Sequence, residues 1–198
     1  MFIYKIFQLY QLQGAFLYLA LLLRWLVLMP LVGSRFLPGG IHEFLIYLLG
    51  VTSIFDILWG VYFRGFVGGV LNRNTLKSLN YLLVIANLHF YDDYEHAPLL
   101  RTSAYSSFII ALSLFESYQH WCKLFKRGPN HKRKTTYWKF ISLFIVPVLF
   151  LSEFYLLLLN LNTPNFHMSD SLESFDKFIL VIYFPVALTA YKKYLSRR

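Results

Sequence analysis

Residues 88–127, LHFYDDYEHAPLLRTSAYSSFIIALSLFESYQHWCKLFKR, decide the fold. The segment opens on an acidic and imidazole-rich cluster (His89, Asp92, Asp93, Glu95, His96), crosses an apolar run and closes on cations (Lys123, Lys126, Arg127). Acid at one end of a hydrophobic run and base at the other is the charge asymmetry of a segment oriented in a membrane. Working outward, the same alternation recurs along the chain. Apolar runs cover residues 15–32, 41–63, 76–91, 104–120, 137–161 and 178–191, and the cations gather in the connections between them.

Composition fits that reading. The 198 residues are 57% hydrophobic and 15% charged, with a mean hydropathy of +0.49, more apolar surface than water tolerates on one small domain. The predicted fold is an all-α polytopic transmembrane helix bundle forming one integral membrane domain over residues 1–198. Six spans are expected, with four plus two re-entrant segments as the alternative. Lys5, the group Arg64, Arg73 and Lys77, the cations of residues 123–139, and Lys192, Lys193, Arg197 and Arg198 fall on one side; Arg35, Arg101 and Lys177 fall on the other. The positive-inside rule then puts both termini in the cytoplasm. The net charge of +9 does not indicate nucleic acid, because basic and aromatic residues do not interleave on one polar face.

Charged residues inside apolar runs are costly in lipid and therefore informative. Arg24 in the first run and Asp56 in the second are expected at similar depth on antiparallel helices, as an intramembrane ion pair that sets register or bounds a polar pocket. Gly65, Gly68 and Gly69 read as a flexible connection, since no strand precedes them and no phosphate-loop tail follows. Recurrent serines in 104–120 favour close helix approach, and Pro147 is expected to kink the fifth run.

The face opposite the termini carries the polar-site candidates His89, Asp92, Asp93, Glu95 and His96, with His42, Glu43 and Glu153 approaching from other helices. Such a set suits a partner surface, an interfacial belt with Tyr91, Tyr94 and Tyr105 at headgroup level, or acid/base work on a lipid or sugar-lipid. No metal-ligand spacing or nucleophile elbow accompanies it, so no cofactor, metal or catalytic residue is assigned. A transporter-like conduit around Arg24, Asp56 and Glu153 is a third reading, though the two halves show no internal repeat. On the other face, Lys126, Arg127, Lys132, Arg133 and Lys134 form a basic loop suited to anionic lipid. Cys122, the single cysteine, sits at the membrane edge as a packing residue or a lipidation site.

Several stretches together resemble a known family: LYQLQ (9–13), PLVGSR (30–35), PGG (38–40), HFYDDYEH (89–96), YQHWCKLFK (118–126), LSEF (151–154) and AYKK (190–193). They are similar to small fungal membrane proteins of the endoplasmic reticulum that act in β-1,6-glucan synthesis. The resemblance implies a multi-pass, non-enzymatic protein of cell-wall biogenesis. Its implied partner is a killer-toxin-resistance glucan-synthesis protein, a type II membrane protein with a glycoside-hydrolase-like luminal domain. It implies no active-site residues.

Overall fold

A computed structural model describes residues 2–34, 37–70, 72–89, 98–125, 136–162 and 170–196. Among them there is no strand, and the architecture is an all-α polytopic helix bundle. Its helices are α1 (Phe2–Val32), α2 (Glu43–Val70), α3 (Arg73–His89), α4 (Ser103–Leu124), α5 (Thr136–Phe140), α6 (Val146–Asn162) and α7 (Asp170–Ser196). Four stretches among the described residues are long and apolar enough to cross a membrane: Phe2–Val32, Pro38–Val70, Tyr137–Asn162 and Ser174–Lys192.

Local chemistry explains the breaks. Gly33, at φ +73°, ends α1 with its N–H donating to Met29 O at 3.0 Å, a left-handed cap that glycine adopts without strain. Pro38 opens the π-helical turn Pro38–His42 that leads into α2. Thr102 caps α4, its hydroxyl accepting from the Tyr105 N–H. Pro147 lacks an N–H and its ring crowds the carbonyl four residues back, at Leu143. That carbonyl lies in the π-helical turn Ile141–Ile145, so the expected kink takes the form of a widened turn.

Two expectations change in detail. Residues 1–13, read as a short arm, are helical from Phe2, because Gln11 is fully buried and Tyr10 and Gln11 bond across to α2 and α4. The glycine-rich connection is a built reversal: Gly65 takes φ +74°, and the chain folds back until a Cβ on Gly69 would lie 2.6 Å from Val61 Cα. Only glycine fits there.

The core centres on α4, whose Tyr105, Phe108, Ile109 and Leu112 are fully buried. α4 runs antiparallel to α1, its most extensive neighbour, with Ser117 Oγ donating to Ala15 O at 3.1 Å. A Cβ at Gly14 would stand 2.9 Å from the His120 ring. Small residues on both helices allow this approach, as the serine pattern predicts. α3 and α4 carry more polar residues than the four longest apolar stretches, and Thr75, Ser78, Asn87, Ser113, Glu116 and His120 among them are buried in the bundle. α7 is the outermost helix, packed mainly on α6, with Phe178, Val181 and Phe184 exposed on apolar faces that bilayer lipid covers.

Candidate functional site

Among the described residues, two polar assemblies inside the bundle hold buried glutamates. The first joins α1, α2, α3 and α4 in the half that holds the amino terminus. Asp56 on α2 accepts from Tyr10 OH at 3.0 Å and from Lys123 Nζ at 3.1 Å. Glu116 on α4 accepts from Lys77 Nζ at 2.7 and 2.6 Å and from Tyr81 OH at 2.8 Å. His120 Nδ1 donates to Gln11 Oε1 at 2.7 Å, and Tyr18 OH shares a 2.7 Å hydrogen bond with Thr52 Oγ1. Each carboxylate has a cation within the chain, and the space between the side chains is filled. Such an arrangement sets register; it leaves no room for a substrate.

The second assembly lies between α3, α6 and α7. Glu153, 1% exposed, accepts from Asn80 Nδ2 and from Tyr183 OH, the latter at 2.8 Å. These groups form one wall of a cleft of about 390 Å³ whose remaining lining is chiefly apolar, with Phe115, Val146, Leu149 and Ala187 among it. Lys77 stands at the rim, its ammonium held by both Glu116 oxygens. A volume in this range with a few convergent polar groups is typical of a ligand or side-chain site.

The predicted site residues separate under this geometry. The Arg24–Asp56 pair is corrected: Asp56 pairs with Lys123, while exposed Arg24 lies with its guanidinium 5.9 Å from the centre of the Phe44 ring. The cause is the distance from the connecting turn: Arg24 lies eight residues before the end of α1 at Val32, whereas Asp56 lies eighteen after Pro38. With Tyr10 opposite Asp56 and Tyr18 opposite Thr52, Arg24 comes level with Phe44, twelve residues or about 18 Å along α2 from Asp56. Glu153 meets Asn80 and Tyr183 among the described residues. It is level with Asn80, nine residues or about 13 Å along α3 from His89. His89 ends α3; its side chain, and Asp92, Asp93, Glu95 and His96, lie outside the described residues. So do Lys126, Arg127, Lys132, Arg133 and Lys134. Glu43 is exposed, and Cys122 is a half-buried free thiol near the end of α4. Tyr105, expected at headgroup level, is fully buried and shares a 2.9 Å hydrogen bond with His42 Nδ1.

The residues missed were the partners: Tyr10, Gln11, Lys77, Tyr81 and Lys123. A signal existed in α4, where Glu116, His120 and Lys123 recur at i, i+4 and i+7, one helical face. Three groups, acidic, imidazole and basic, on one stripe of a helix whose other polar side chains are neutral mark a polar seam.

Fold and site thus define a polytopic α-helical membrane protein with a closed polar core and, beside it, the Glu153 cleft. The chain is 55% identical over 194 residues to the beta-1,6-glucan synthesis-associated protein KEG1 of Saccharomyces cerevisiae, covering 98% of this chain and 96% of that one. It belongs to the family of that protein. No family model and no solved structure matches the chain.

Proposed function

We propose that the chain is a non-catalytic membrane partner that holds or stabilises a membrane-anchored glucan-synthesis protein in the endoplasmic reticulum, in support of cell-wall β-1,6-glucan assembly. The observation that carries this reading is the 55% identity, over nearly the whole of both chains, to a protein named for its association with β-1,6-glucan synthesis. The interior supports it. Polar side chains of α1, α2, α3 and α4 bond to one another across the helices, which suits a protein whose work is to hold helices together.

Six crossings with both termini cytoplasmic belong to the same proposal, on the strength of the cation distribution. With Cys122→Ser as background, Asp93→Cys in sealed microsomes should resist a membrane-impermeant maleimide until detergent is added; labelling of intact vesicles would favour four crossings.

The functional test is mild-detergent affinity purification of the tagged protein, with mass spectrometry of what accompanies it and assay of wall β-1,6-glucan after depletion. A stoichiometric glucan-synthesis protein with a loss of β-1,6-glucan is the expected result. Recovery of the protein alone, with an unchanged wall, overturns the proposal.

A further inference from the structure

The cleft beside Glu153 differs from the rest of the interior in depth and in charge. Tyr183 is the midpoint of the apolar stretch Ser174–Lys192, Asn80 is within one residue of the midpoint of α3, and Glu153 is about 5 Å from the midpoint of Tyr137–Asn162. The carboxyl group therefore lies deep in the hydrocarbon layer, whose half-thickness is about 15 Å. Both of its hydrogen bonds come from neutral donors, Asn80 and Tyr183, and no ion pair involves it among the described residues. A carboxylate offers about four lone-pair sites, so acceptor capacity remains unused.

The cleft also has an open side. α3 and α7 stand on either side of it with little backbone approach, joined by the interacting side chains of buried Asn87 and Asp176 seven residues along each helix from Asn80 and Tyr183, and α6 forms the back wall. Ala187 and Ala190, three residues apart on α7, line it with little bulk. Small residues at this spacing admit a close helix neighbour.

What can reach Glu153 is limited by depth. Acyl chains at the middle of a bilayer carry no hydrogen-bond donor, whereas a transmembrane helix brings side chains of any chemistry to that level. We propose that the gap between α3 and α7 receives a transmembrane helix of a partner protein, and that a donor side chain near its midpoint, an amide or an ammonium, bonds to Glu153. The proposal rests on the partner role given above and names the surface that performs it.

The full-length protein, reconstituted in bilayers, is titrated with dye-labelled synthetic transmembrane helices of leucine and alanine carrying Asn, Lys or Leu at the centre. Energy transfer reports association. At least one of the Asn and Lys helices should associate ten-fold or more tightly than the Leu helix, and the stronger of the two identifies the donor as neutral or cationic. Ala187→Phe, which fills the cleft while leaving Glu153 in place, should remove that advantage, as should Glu153→Leu. Equal association of all three helices overturns the proposal, and so does an advantage that persists in Ala187→Phe.

Copurification from cells separates this surface from the function. If the wild-type chain brings down the glucan-synthesis protein and Ala187→Phe does so equally, the surface is wrong and the function stands. If the wild-type chain brings down no such protein while the helix titration still discriminates, the function is wrong and the cleft remains a helix site.

Discussion

Glu116 and Glu153 are both nearly inaccessible carboxyl groups on neighbouring helices of one bundle, yet their surroundings are opposite. Glu116 is gripped by the Lys77 ammonium at both oxygens and by the Tyr81 hydroxyl, with no space left over. Glu153 has one amide and one phenol, and a cleft beside them. The first arrangement completes its charge within the chain and can only hold structure. The second is left to be completed by another molecule. Buried carboxylates in a membrane protein are thus sorted by whether the chain itself supplies the counter-charge.

The largest effect is expected at the closed site. Glu116→Ala removes both carboxylate oxygens that accept from the half-buried Lys77 ammonium and should cost about 3–5 kcal/mol of stability. Thermal unfolding in detergent measures it, and a second change, Lys77→Met, should restore much of the loss. Persistent instability of the double variant would mean that Glu116 acts through packing rather than charge. Glu153→Gln should be milder, about 1 kcal/mol, because the amide still offers an acceptor to one of its two donors. A loss as large as that at Glu116 would erase the distinction between the two sites. The smallest effect belongs to Arg24→Gln, within about 0.5 kcal/mol in the same assay, since the exposed side chain carries no ion pair among the described residues.

Much of the fold was legible because a bilayer writes it into composition. The runs of residues 15–32, 41–63 and 137–161 correspond to α1, α2 and α5 through α6, and Gly33 and Pro147 act where the sequence placed them. The polar pairings were harder to read. Residues 2–14 look too mixed for a span, and their helicity comes from contacts that no local pattern records, Tyr10 to Asp56 and Gln11 to His120. Without that extension the Tyr10 donor to Asp56 is lost, and a depth count that ignored the unequal distances of Arg24 and Asp56 from the connecting turn paired Asp56 with the wrong cation. Depth can be estimated by counting residues, but azimuth and register depend on which side chains meet. For the same reason Glu153 was recognised as a polar candidate without its neighbours Asn80 and Tyr183. Asn80 and Tyr183 come from helices far apart in sequence, and only packing brings them to one level.

The most direct measurement is the amount of membrane-anchored glucan-synthesis protein recovered per tagged chain in mild detergent, wild type against Ala187→Phe, at matched abundance and melting temperature. The expected result is stoichiometric recovery with the wild type and at least a ten-fold fall with the variant, its unfolding unchanged. Equal recovery by the two chains would contradict the division between a core that holds the bundle and a cleft that binds. Absence of the partner from both would contradict the role itself.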